Sequence, residues 1–196
     1  MEIKTTDIDI DCGDRNSTLS VFRYNTASMI KDDKLSKHNS GVYFTDIPTN
    51  AYRQATIDYK DAELRGYFKI DILNVHVYQH ITSEEQLVRL MNKPPNWERL
   101  RDREFCNNII HIGNHHDTIM AMPEPVNSIP RLAMLLAVIR PGKRHLIGKS
   151  WKEVAQTVWD KTDEYSFKKS HSVSYAHLVV VHMNLLEEME KHEDIS

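Results

Sequence analysis

Residues 6–15, "TDIDIDCGDR", set Asp7, Asp9 and Asp11 at alternate positions among isoleucines. A period of two reads as a short strand over residues 6–12 with one apolar and one acidic face. Side chains two apart on a strand share a face, so the carboxylates stand about 6–7 Å from one to the next. Two readings follow. Hard oxygens at this spacing suit Mg2+, which keeps waters and uses one or two carboxylates together with substrate phosphates. An exposed edge strand charged against edge-to-edge pairing gives the same pattern.

Working outward, a helix is expected after the strand, capped by Asn16 or Ser17, with "TLSVFRY" supplying apolar residues before the polar run "KDDKLSKHNSG". "GVYFTDI" (41–47) reads as a strand, and "YFKIDILNV" (67–75) as a strand or a strand-to-helix junction. Helical signals then take over. Ser83 with Gln86, and Ser150 with Glu153, have capping-box spacing, in which two side chains satisfy free N–H groups at a helix start. "PNWERLRDREF" follows a double proline. "NSIPRLAMLLAVIRPG" opens at Ser128, sets Ile129, Leu132, Leu136 and Ile139 on one face, and stops at Pro141 and Gly142. A last helix is expected from about Ser170 to Lys191. The organisation is an α/β segment over residues 1–75 and a helical segment over 76–196, an α+β protein.

Composition narrows the classes. Hydrophobic residues are 40% and charged residues 27% of 196, near the averages of globular proteins. A net charge of −3 argues against attraction of the whole molecule to nucleic acid and leaves local patches open. Cys12 and Cys106 stand alone, which suggests neither a disulfide framework nor a zinc ribbon and points to a reducing compartment, the cytoplasm. The start "MEIKTTDIDI" does not read as a signal peptide, and the apolar stretch "YAHLVVVHMNLL" is far short of the roughly 20 residues of a membrane span.

Several stretches, in order, resemble the bacterial family C DNA polymerases, the replicative polymerase III alpha subunits. "TDIDIDCGDRNSTLSVF" is similar to the family's P-D-I-D-hydrophobic-D-F segment, and "KHNSGVYFTD" to its H-A-(A/G)-G-V-V-I strand. "ATIDYKDAELRGYFKIDILNV" resembles its T-Q-(F/Y)-D…G-L-x-K-(F/I)-D-hydrophobic-L-G-L stretch. "NSIPRLAMLLAVIRPGK" resembles the fingers helix ending A-L-x-R-P-G-P, and "YSFKKSHSVSYAHL" resembles G-F-N-K-S-H-(S/A)-x-x-Y-A. The resemblance implies a nucleotidyltransferase-like partial palm followed by helical fingers, in a miniature form suggestive of a phage protein.

It further implies that Asp9 and Asp11 are the paired metal-binding carboxylates, with Asp58 of "TIDYKD" as the third, holding Mg2+ or Mn2+ for two-metal transfer of a nucleotide from a dNTP to a DNA primer-template. Without the resemblance, Asp58 reads as a turn residue in a polar loop. By the same resemblance Arg140 is the R-P-G arginine near the incoming nucleotide. Lys169, Ser170 and His171 are the K-S-H triplet, and Tyr175 lies one turn on. On local pattern alone, Arg140 is a cation favourably placed at a helix C-terminus, and Ser170 is an N-cap with basic neighbours. Lys143, Arg144 and Lys149 extend a basic run that suits DNA phosphates or a solvated flank. His38 matches the histidine before the glycine-valine strand and is assigned no chemistry. His111, His115 and His116 with Asp117 raise zinc but have no cysteine at finger spacing, and read as surface and interface residues.

Full members of that family carry an earlier palm half with a Gly-Ser loop against the triphosphate. The glycines of this sequence are scattered, without a phosphate loop. A partner chain completing the palm, or engagement of the host replisome, is therefore expected. The alternatives are a non-catalytic DNA- or replisome-binding protein and a metal-dependent nuclease using the same carboxylates.

Overall fold

The computed structural model describes residues 8–161 and 167–193. Asp7 lies outside them. The fold is α+β, in two compact units, Met1–Ile81 and Thr82–Ser196.

The first unit is built on a five-stranded mixed sheet in the order β1-β5-β3-β2-β4. Its strands are β1 (Ile8–Cys12), β2 (Asn25–Lys31), β3 (Lys34–Tyr43), β4 (Gln54–Asp58) and β5 (Ile70–Asn74). β1 runs parallel to β5 and β2 parallel to β4, while β3 is antiparallel to both β2 and β5. Strand alternation turns Ile70 and Ile72 to one side, where Ile72 packs with Val42 and Leu19 of α1 (Arg15–Ser20). Tyr43, Ala27 and Ala55 pack with Ala62 of α2 (Tyr59–Leu64) in a second core.

The polar run expected between helix and strand is a β-hairpin instead. Asp32 and Asp33 form its turn with φ of 51° and 57°. Positive φ at both central residues matches the strand twist and is the signature of a type I′ turn, usually advertised by Asn-Gly or Asp-Gly. Here two aspartates do it, so the sequence shows no glycine signal. The α1 cap also differs from expectation. Asp14, not Asn16 or Ser17, is the N-cap: its carboxylate accepts the Asn16 N–H at 2.9 Å and the Ser17 hydroxyl at 2.9 Å. A carboxylate outcompetes a hydroxyl because it carries full negative charge at the positive helix end.

The second unit is helical: α3 (Glu84–Asn92), α4 (Arg103–Asn107), α5 (His116–Ala121), α6 (Ile129–Val138), α7 (Trp151–Thr157) and α8 (Lys169–Glu193), with 3-10 turns at Trp97–Arg101 and Pro141–Leu146. α6 buries Leu132, Ala133, Leu135, Leu136, Ala137 and Val138, nearly its whole circumference. It packs on Ala176, Val179, Val180 and Met183 of α8 in one core. The Ser150–Glu153 capping box forms in full. At α3 the pattern slips by one residue: Ser83 accepts the Gln86 N–H, but the Gln86 side chain returns to the Thr82 N–H at 2.8 Å. The expected helix over "PNWERLRDREF" is a 3-10 turn followed by the short α4, divided at Asp102, which caps α4. No helix among the described residues is long and apolar enough to cross a membrane.

Candidate functional sites

In the first unit, parallel pairing of β1 with β5 sets Asp9 directly beside Asp71 and Asp11 beside Leu73. Register partners on neighbouring strands point to the same side about 4.8 Å apart, so Asp9, Asp11 and Asp71 share one side of the sheet. Burial, and then the neighbouring Asp9, push the Asp11 carboxyl above the usual carboxylate range. Burial and Asp11 likewise push the Tyr78 phenol up. Both shifts disfavour the charged form, and a cation beside these groups would oppose them.

Asp71 is the best-supported carboxylate of the three. It accepts the Ser40 hydroxyl at 2.7 Å and forms an ion pair with Lys69, both side chains being largely buried. His38 Nδ1 lies 3.7 Å from Asp71 Oδ1, but this is no ion pair. Nδ1 accepts the Gly41 N–H at 2.9 Å and the Ser40 N–H at 3.3 Å, so its lone pair is occupied and the ring is neutral. Burial, followed by Lys69, lowers the His38 pKa, against weaker opposing pulls from Asp71 and Asp58. Gly41 makes this packing possible: a Cβ there would meet Lys69 Cδ at 2.7 Å and His38 Nδ1 at 3.0 Å.

Asp58, expected as the third carboxylate, is not brought to Asp9 and Asp11. β4 and β1 are opposite edges of the sheet with three strands between them. Four steps of about 4.8 Å put these strands roughly 19 Å apart, whereas oxygens sharing one Mg2+ each sit about 2 Å from it. Asp58 Oδ1 accepts the Ile30 N–H at 3.1 Å, and Oδ2 caps α2 through the Lys60 N–H at 2.9 Å. Asp58→Ala should destabilise the unit by about 1–2 kcal/mol through loss of this cap and leave any divalent-cation response unchanged, which thermal melts with and without Mn2+ measure. Asp71 was missed because "KID" reads as an ordinary buried strand; the Lys69–Asp71 spacing on one face was the available signal.

In the second unit, residues far apart in sequence do meet. The Arg140 guanidinium lies 4.5 Å over the Phe167 ring, Phe167 stacks on Tyr175 at 5.7 Å and 8°, and His111 lies 4.4 Å from the other end of the row at Tyr175. His171 is edge-on to Phe167 at 6.5 Å, and Lys169 Nζ is 5.9 Å from the Trp159 ring. Arg140 is thus linked through Phe167 to Tyr175 and His171 of α8. Neither Arg140 nor Arg144 has a carboxylate partner among the described residues, whereas Arg131, from the same basic segment, pairs with Glu124 at 2.6 Å. A guanidinium without a carboxylate partner among the described residues can take an anion.

Two expectations in this unit are corrected. Lys143 is buried, and its ammonium donates to the carbonyls of Thr157 at 2.9 Å and Asp160 at 2.8 Å, closing the end of α7. It does not face DNA, because its ammonium is turned inward onto these two carbonyls. Arg144 and Lys149 are exposed. Ser170 is not the N-cap of α8: the helix starts at Lys169, and the Lys168 carbonyl accepts the Ser172 N–H at 3.0 Å.

The histidine cluster does not converge. His116 is buried with Nε2 on the Arg101 carbonyl at 2.9 Å, and Asp117 pairs with Arg103. No three His, Cys, Asp or Glu side chains among the described residues are grouped to hold a metal ion. His111 is held below the usual imidazole pKa by burial and then Arg140, and His115 by burial, then Arg144 and Arg140. His38, His111 and His115 all bind their proton more weakly when folded. As pH falls through about 6.5 the unfolded chain takes up protons first, so stability present at pH 7.5 is progressively lost toward pH 5.5. Melting midpoints should therefore be lower at pH 5.5 than at pH 7.5.

Comparison with known proteins adds no assignment. No family model, curated protein or solved structure matches this chain.

Proposed function

We propose that the chain is a palm-and-fingers protein for template-directed nucleotidyl transfer on a DNA primer-template, with Asp9, Asp11 and Asp71 as a carboxylate set that bound metal and substrate would have to draw together, since no three such side chains among the described residues are grouped for a metal ion. The observation that carries this reading is the register pairing of Asp9 with Asp71, with Asp11 on the same side and raised in pKa. These are hard oxygens, and the four or so lone-pair sites of a carboxylate let Asp71 keep Lys69 while facing an ion. Bound Mg2+ or Mn2+ would activate the primer 3′-hydroxyl and stabilise the leaving pyrophosphate. Within the second unit by itself, Arg140, Lys169 and His171 would bind phosphate groups, with Ser170 contributing a backbone N–H, and Tyr175 would support Arg140 through Phe167. Arg144 and Lys149 would face DNA.

The scattered glycines favour a second reading, a binder that keeps these surfaces without catalysis unless a partner polypeptide supplies the missing phosphate loop. Primer extension with dNTPs and Mg2+ or Mn2+, by the chain alone and with candidate partners, separates the two. Under the catalytic reading, extension occurs and is lost in Asp9→Asn and Asp71→Asn. Binding of primer-template without extension under any of these conditions supports the binder. Degradation of DNA without dNTPs identifies a nuclease. Mn2+ at a hundredfold excess over its Kd should stabilise the protein by about 2.7 kcal/mol, an effect absent in Asp9→Asn.

A further inference from the structure

Lys69 stands immediately before β5, two residues from Asp71, and is held there by more than its charge. Its ammonium pairs with Asp71 Oδ2, with both side chains largely buried. Gly41, the register partner of Asp71 on β3, leaves room for the stem: a Cβ there would meet Lys69 Cδ at 2.7 Å and Cγ at 3.0 Å. Lys69 Nζ also lies 5.7 Å from the centre of the Tyr59 ring, whose π face attracts a cation. The other oxygen of the same carboxylate, Oδ1, accepts the Ser40 hydroxyl at 2.7 Å. Both oxygens of Asp71 therefore have partners, and one of the two is a fixed positive charge. The register of β1 with β5 sets Asp9 beside this carboxylate.

We propose that Lys69 is a built-in counter-cation of the carboxylate face: it neutralises Asp71 while no metal is bound, and its charge keeps the affinity for a bare divalent ion low. This rests on the reading of Asp9, Asp11 and Asp71 as the carboxylate set and adds what sets the strength of ion binding there. Like charges repel more strongly in a partly buried site than in water, so an ion that joins Asp71 meets the ammonium as well as the oxygens. The same ammonium serves the metal-free fold, because a largely buried carboxylate left without a partner is destabilising. Lys69 thus lets the unit fold without metal and weakens its hold on the ion.

Lys69→Met keeps the aliphatic stem and removes the charge. Mn2+ binding to the full chain, read from the EPR signal of the free ion without DNA or dNTP, should be at least about tenfold tighter in Lys69→Met than in the native chain. The gain should be lost in Lys69→Met/Asp9→Asn, and Lys69→Arg, which retains the charge, should stay close to native. A second measurement needs no charge-removing variant: the Lys69 ammonium 15N resonance, assigned by its absence from Lys69→Arg, should shift when Mg2+ saturates the native chain. An affinity in Lys69→Met equal to or below the native value overturns the proposal and leaves the carboxylate reading standing, and so does a Lys69 resonance unmoved by saturating Mg2+. Absence of Mn2+ binding from both the native chain and Lys69→Met overturns the two together.

Discussion

Asp71→Ala should lower the stability of the first unit by about 3 kcal/mol, since removing one member of a largely buried ion pair leaves the other charge without compensation. Lys69 and Asp71 side chains are 16% and 15% exposed, which places the effect at the lower end for buried pairs. The Ser40 hydroxyl loses its acceptor as well. The double variant Lys69→Met/Asp71→Leu should recover most of that loss, because apolar groups of similar volume leave no unpaired charge. Urea unfolding of the native chain and the three variants completes the cycle. A double variant as unstable as Asp71→Ala would show that the pair is not the source of the effect. Primer extension divides the roles: under the proposed function it is lost in Asp71→Ala and stays lost in the refolded double variant.

Lys143→Ala should cost the second unit about 3 kcal/mol, from two charge-assisted hydrogen bonds to carbonyls and the packing of a buried aliphatic stem. Lys143→Met keeps the stem and should lose about 2 kcal/mol, isolating the ammonium's share. Lys149→Ala, on an exposed side chain, should stay within about 0.5 kcal/mol of native. DNA binding supplies the contrast. Lys143→Met should leave the salt dependence of affinity unchanged, while Arg144→Ala should reduce its slope by about one if that side chain contacts a phosphate. A normal melting curve for Lys143→Met, with weakened DNA binding, would restore Lys143 to the nucleic-acid surface.

Local chemistry made much of the secondary structure legible. The period-two pattern at 6–12 predicted the strand found as β1 at Ile8–Cys12, the hydroxyl caps Ser83, Ser128 and Ser150 predicted the starts of α3, α6 and α7, and apolar spacing predicted α6. Each depends on neighbours within one turn or one strand. The hairpin turn was hidden because aspartates took φ values that usually reveal themselves as glycine. Lys143 was misread because a lysine in a basic run has the same letters whether it meets solvent or the open end of a helix.

The candidate site shows the same division more sharply. The sequence by itself determined that Asp9 and Asp11 share a face, since adjacent peptides in a strand alternate. It could not determine their third neighbour. Asp58 and Asp71 both sit in strands of the same segment, and only the strand order decides between them. That order places Asp71 beside Asp9 and Asp58 on the far edge, where it caps a helix. In the second unit likewise, Arg140, Phe167, Tyr175 and His111 are linked by no local pattern. Their association exists because α6 and α8 bury their apolar faces against each other, and that burial sets which polar ends meet.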